Sequence, residues 1–112
     1  MKRRLKVVDQ IIRELKKAKT VAIGGHMRPD GDCIGSQMAV AYALAHLGKK
    51  VTVLNQDEIP KKLAFLDPKQ ILRKPSKIAK SYDCVVATDC ATYERMGSVC
   101  EAISKRNILI NI

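Results

Sequence analysis

At 112 residues the chain has room for one small domain, and with 46% hydrophobic residues it can bury a core. Only 4% of residues are aromatic, so that core is aliphatic. No apolar run approaches the ~20 residues of a membrane span. The basic start Met1-Lys2-Arg3-Arg4 leads into no signal-peptide apolar stretch, which points to the cytoplasm and to no membrane partner.

The formal net charge is +10 and uneven. Residues 1–20 hold eight Lys/Arg against two acids, and residues 61–80 hold seven against one. The stretches 21–60 and 81–112 each hold three against four. A positive field would attract polyanions such as nucleotides. Two solvated lysine-rich faces explain the same numbers. With no stacking aromatics nearby, a dedicated nucleic-acid module is weakly supported.

Leu5, Val8, Ile11, Ile12 and Leu15 recur at helical spacing with lysines and arginines opposite. That predicts an amphipathic surface helix ending near Lys17 to Lys19. Thr20 to Gly24 then reads as a buried strand, short, apolar and closed by glycine. Ile34 to Leu47 reads as a second helix, with Ile34, Met38, Ala41, Tyr42 and Ala45 on one face. Its small residues Ala39, Ala41, Ala43 and Ala45 suit close packing on a sheet, and Gly48 suits its C′ position. His46 reads as a surface or helix-end residue.

Val51 to Leu54 is a second strand, so strand, helix and strand form a right-handed βαβ unit with parallel strands. Pro60 reads as a helix N1 residue ahead of an apolar face of Leu63, Phe65 and Leu66, ended by Asp67-Pro68. Residues 69–80 are basic and irregular, with a short helix after Pro75-Ser76 as an option. Tyr82 to Thr88 is a third strand, Val99, Ala102 and Ile103 mark a short helix, and Asn107 to Ile112 is a fourth strand. There is no repeat. The expected fold is α/β, a parallel sheet with helices on both faces.

The four cysteines, Cys33, Cys84, Cys90 and Cys100, form no Cys-x-x-Cys pair, which argues against a structural zinc site. All four read as reduced thiols. Cys84 and Cys90 share strand parity and read as small core residues.

The chemistry concentrates between the first strand and the second helix, in His26-Met-Arg-Pro-Asp30-Gly-Asp32-Cys-Ile-Gly35-Ser36. One imidazole and two carboxylates sit on a loop at a strand's carboxyl end, where open α/β sheets bind ligands. Such donors suit a borderline or hard divalent ion, Mn²⁺ before Zn²⁺. His26 and Asp30 can point at one centre while Asp32 reaches a neighbouring one. The plainer reading is a turn in Pro-Asp-Gly-Asp, with Asp32 as helix N-cap. The N–H groups of Gly35-Ser36 at the helix start could face an anion, or Gly35 could serve close packing.

The spacing His-x-x-x-Asp-x-Asp-x-x-Gly-Ser after a strand resembles the first motif of the DHH family of metal-dependent phosphoesterases. It is most similar to the DHH/DHHA1 branch, which degrades very short oligoribonucleotides and dephosphorylates 3′-phosphoadenosine 5′-phosphate. The run Asp89-Cys-Ala-Thr-Tyr-Glu-Arg95-Met-Gly97 at the end of the third strand resembles the second motif. The plainer role for Asp89 is an N-cap of a short helix around Thr92 to Met96.

The resemblance implies a two-metal phosphoesterase, with Mn²⁺ the first choice and Mg²⁺ or Co²⁺ the others. His26 and Asp30 would bind one ion, Asp32 the other, and Asp89 would bridge them as the catalytic carboxylate, around a nucleophilic water of lowered pKa. Arg95 and Ser36 would be substrate-binding residues, although Arg95 could instead pair with a carboxylate. The substrate would be a short oligonucleotide or a nucleotide phosphate, and the intact protein could be a homodimer.

In the family an Asp-His-His signature follows a strand like the fourth one. The chain has no Asp-His-His, and its only histidines are His26 and His46. The expectation is the N-terminal part of a DHH domain over 1–112, without the remainder and without the DHHA1 domain. That would be a truncated product or part of a longer chain, inactive by itself. A non-catalytic nucleotide-binding or regulatory fragment is the alternative, and a basic nucleic-acid-binding protein is a third.

Overall fold

The structure, a computed structural model, describes residues 2–112, with side chains from Lys6 onward. The Leu5 side chain, counted above on the first helix's apolar face, lies outside the described residues. Five strands form one parallel sheet: β1 Thr20–Gly24, β2 Lys50–Leu54, β3 Leu72–Arg73, β4 Ser81–Ala87 and β5 Lys105–Asn111. Their order is β3-β2-β1-β4-β5, so β1 is central. Helices α1 Lys2–Lys17, α2 Gly31–His46 and α3 Val99–Ala102 complete the fold with two 3₁₀ turns, Lys61–Leu66 and Tyr93–Met96. The expected α/β architecture is therefore present.

Strand alternation builds two cores, one on each sheet face. Val21 and Ile23 of β1 join Val53, Cys84, Val86 and Ile110 on one face, under Ile34, Met38, Ala41 and Leu44 of α2. Ile11 and Leu15 of α1 pack against the same cluster. On the other face Ala22, Leu54, Val85 and Ala87 meet Met96, Val99, Ala102 and Ile103. One face thus carries two long helices, and the other only a single-turn helix and a 3₁₀ turn.

Several sequence expectations shift. The α2 helix begins at Gly31 and not Ile34, because Asp30 caps it: its carboxylate accepts the Cys33 N–H at 2.9 Å. The buried stripe of α2 is Cys33, Ile34, Gln37, Met38, Ala41 and Leu44, while Tyr42 is half-buried and Ala45 exposed. Of the four small alanines only Ala41 is buried. Gly48, at φ +84, closes the helix as expected: its N–H donates to the Ala45 carbonyl and Lys49 N–H to that of Leu44.

Pro60 precedes a 3₁₀ turn and no α-helix, and Phe65 points outward at 72% exposure while Leu63 and Leu66 reach the core. No helix follows Pro75-Ser76. Within that basic segment β3 forms instead, because the buried Asp67 carboxylate accepts the N–H groups of Ile71 (2.9 Å) and Leu72 (3.0 Å) and delivers the chain to β2.

Among the described side chains, Lys6, Arg13, Lys16 and Lys17 of α1 and the basic residues of 61–80 are exposed, with local partners such as Lys74 on Glu58 at 3.1 Å. On α1, Val7, Val8 and Ile12 remain exposed. The four cysteines are free thiols; Cys84 and Cys90 are both buried, but on opposite sheet faces. No helix is long and apolar enough to cross a membrane.

Asp83 ties the entrance of β1 to β4. Its Oδ2 accepts the N–H groups of Lys19 (2.8 Å) and Thr20 (3.2 Å), and these donors hold its carboxyl below the usual range. A depressed folded pKa makes the unfolded chain the better proton acceptor. The stabilisation is therefore present above the unfolded value of about 3.9 and fades as pH falls through the folded one. Asp83→Asn should lose less stability than the parent between roughly pH 5 and pH 2, read as urea midpoints. Identical acid sensitivity would remove Asp83 from this account.

Candidate metal centre

The strand order reverses direction between β1 and β4, since β2 and β3 lie on one side of β1 and β4 and β5 on the other. Ligands of open α/β sheets bind at such a switch point, outside the carboxyl ends of the strands. His26 leaves the end of β1 and Asp89 leaves the end of β4. The ladder between the strands runs on to the site: Thr88 N–H donates to the Gly24 carbonyl at 3.1 Å.

The His26 ring is nearly buried. Its Nδ1 lies 2.6 Å from the Met27 carbonyl, which only accepts, so Nδ1 carries the proton. In the neutral ring Nε2 then keeps the lone pair, the tautomer a metal-binding imidazole needs. That Nε2 lies 3.7 Å from Asp30 Oδ1 and 3.6 Å from Asp89 Oδ2. These spacings are too long for hydrogen bonds. Adjacent ligands of a small octahedral cation stand about 3 Å apart, so a few tenths of an ångström of closure would suit an ion. One donor atom from each of His26, Asp30 and Asp89 lies within 4.8 Å of the other two. The donor set, one imidazole and two carboxylates, fits a divalent cation of the Mn²⁺ or Mg²⁺ kind.

Local backbone serves this convergence. Asp89 adopts φ +54, a left-handed conformation that Asp and Asn tolerate better than most residues. Its N–H donates to the Ile112 carbonyl at 3.1 Å. Asp89 caps no helix: the following 3₁₀ turn starts from Thr92, without a side-chain cap bond. Asp30 is both the α2 cap and a cluster donor, so turn chemistry and ligand chemistry coincide in it. The two motif loops are joined where Met27 N–H donates to the Arg95 carbonyl at 2.6 Å. Arg28, also left-handed at φ +54, is held by Asp57, whose Oδ2 accepts its N–H at 2.8 Å.

The other anticipated residues are placed differently. Asp32 is exposed in the first turn of α2 and lies outside the three-donor set. Among the described residues no second group of three such donors forms. Gly35 and Ser36 fall in the second turn of α2, beyond the unpaired N–H groups of the helix start, so they offer no open anion cradle. A side chain at Gly35 would meet nothing within 4 Å, so close packing does not explain it either. Arg95 is exposed, and among the described residues no carboxylate pairs with its guanidinium.

Sequence reasoning missed a buried layer beneath the cluster: Cys33, Gln37 and Asn55. The signal was available in part, since Gln37 falls on the apolar stripe of α2 between Ile34 and Ala41, where a polar side chain is out of place.

The DHH family N-terminal domain matches residues 20–112. The chain belongs to the DHH family. This DHH chain also shares its fold with an exopolyphosphatase-related protein from Bacteroides fragilis, at a TM-score of 0.79 and 20% identity. That match covers 94% of this chain and 37% of the other, so the DHH chain spans well under half of that protein's length. DHH proteins generally depend on divalent metal, and the His26, Asp30 and Asp89 set is where this one can hold an ion.

Proposed function

We propose that the chain forms the metal-binding part of a phosphoesterase acting on short oligonucleotides or nucleotide phosphates, with Mn²⁺ as the preferred ion. The observation that carries this is the convergence of the His26 Nε2 lone pair with the Asp30 and Asp89 carboxylates at the β1/β4 switch point. A divalent ion bound there would polarise a phosphoryl oxygen and lower the pKa of a coordinated water. In this reading Asp89 and Asp30 supply the anionic charge, and His26, fixed by Met27, supplies the neutral ligand. By the family resemblance, exposed Arg95 and Ser36 would meet substrate phosphate. Asp32 would belong to a second ion, completed by donors outside the present set.

The first test is binding. Mn²⁺ titrated into the 112-residue chain should bind, and Asp30→Asn should weaken it by roughly tenfold or more while leaving the unfolding free energy within about 1 kcal/mol, because Asn caps a helix as well as Asp. Unchanged affinity in that variant would return Asp30 to a capping role. The second test is hydrolysis, by the chain or by the product of its whole reading frame, of a dinucleotide, 3′-phosphoadenosine 5′-phosphate and tripolyphosphate, with Mn²⁺ and with chelator. Chelator-sensitive turnover of the nucleotides supports the reading. Turnover of tripolyphosphate alone would replace its substrate class, in line with the exopolyphosphatase-related neighbour. Nucleotide binding that needs no metal would favour a non-catalytic module.

A further inference from the structure

Gln37 and Asn55 are fully buried, with Cys33 beside them. Buried amides cost free energy unless hydrogen-bonded, so their partners matter. Asn55 Nδ2 donates to Gln37 Oε1 at 2.8 Å. Gln37 Nε2 reaches the carbonyls of Ile23 and Leu54, each at 3.4 Å. The Cys33 thiol donates to the same Gln37 Oε1 at 3.7 Å. Burial pushes that thiol up to about 11. The Cys33 N–H holds Asp30 Oδ1. A polar run therefore leads from the end of β2 into α2 and packs against Gly25, the residue before His26, where an added Cβ would stand 2.6 Å from Cys33 Sγ and 2.7 Å from Gln37 Oε1, while the Cys33 backbone N–H caps onto the carboxylate of Asp30.

As core filling this run is poor. Its bonds to the two carbonyls are long, and Asn55 Oδ1 has no partner at all. An unpaired buried acceptor is costly, and apolar residues of the same shape can be neutral or better. We propose that Cys33, Gln37 and Asn55 are positioning residues of the cation site, holding His26 and Asp30 in convergent register before an ion arrives. The inference rests on the metal reading given above. None of the three touches the ion; they act through His26 and Asp30.

The decisive variant is Gln37→Met with Asn55→Leu, which keeps volume and removes the polar run. Its unfolding midpoint should stay level or rise, while Mn²⁺ affinity should fall about tenfold to hundredfold, the range typical of outer-shell partners. A second readout needs no metal. Nitrogen NMR of the His26 ring should show Nδ1–H in the parent and a mixed tautomer in the double variant. Cys33→Ser can still donate and accept, and should bind Mn²⁺ within about threefold of the parent, whereas Cys33→Ala should not. If the double variant keeps both affinity and tautomer, the run is mere packing and the proposal falls. If the parent takes up no Mn²⁺ but the tautomer shifts in the variant, positioning of His26 stands and the metal reading fails. If the double variant does not fold, the Cys33 pair decides: equal affinities in Cys33→Ser and Cys33→Ala would overturn the proposal.

Discussion

Gly25→Ala should destabilise the domain by about 3 kcal/mol or more and abolish metal binding at the same stroke. A Cβ on Gly25 would collide with Asn55 Oδ1, stand 2.6 Å from Cys33 Sγ and 2.7 Å from Gln37 Oε1. None of the three can swing aside, since all sit in the buried run between β2, α2 and the exit of β1. Overpacking a rigid core costs roughly 1–3 kcal/mol. Separating a buried hydrogen-bonded pair adds about 1–3 kcal/mol. For a domain of this size the thermal midpoint should drop by more than about 10 °C. A Gly25→Ala protein melting within a few degrees of the parent would mean that the layer beneath His26 is loosely packed.

Asp89→Asn should do the opposite to the balance: keep the fold and lose the ion. Asparagine accepts the left-handed backbone at φ +54 about as readily as aspartate. Without an ion, Asp30 and Asp89 present carboxylates close together with no Lys or Arg paired to either among the described residues. Neutralising one relieves that repulsion, so the metal-free variant should melt no lower than the parent. Its Mn²⁺ affinity should fall roughly hundredfold or more, since a direct anionic donor matters more than the outer-shell partners worth ten- to hundredfold. Where the parent hydrolyses a phosphoester, the variant should retain almost no activity. Parent-level affinity in Asp89→Asn would remove Asp89 from the centre.

The strands legible in the sequence were short apolar runs that the parallel sheet buries on both faces. Val21 to Ile23, Val51 to Leu54 and Val85 to Ala87 announced β1, β2 and β4, and the strand-helix-strand order implied a parallel sheet. His26, Asp30 and Asp89 were readable because each follows a strand within a few residues. Other features depend on partners distant in the chain. The strand Leu72–Arg73 has no apolar alternation of its own and exists because Asp67 receives its amides and β2 receives its edge. The start of α2 hinged on which aspartate capped it, and Asp30 and Asp32 are chemically equal candidates in sequence. Asn55 looks like an ordinary loop residue until α2 is laid over it. Phe65 is apolar yet exposed, and no local pattern distinguishes it from Leu63 and Leu66.

The donors of the cluster leave two strands that are neighbours in space but remote along the chain, with α2, β2 and β3 intervening. Closing so long a loop comes before any contact that rewards it. An unfolded or half-folded chain therefore holds three scattered donors and no site. An ion would bind only after β4 has docked beside β1, and by mass action it would then hold that docked state in place. A cation held there would act on kinetics as a latch on the last long-range pairing, slowing unfolding of the β1/β4 seam while leaving the early formation of β1, α2 and β2 untouched.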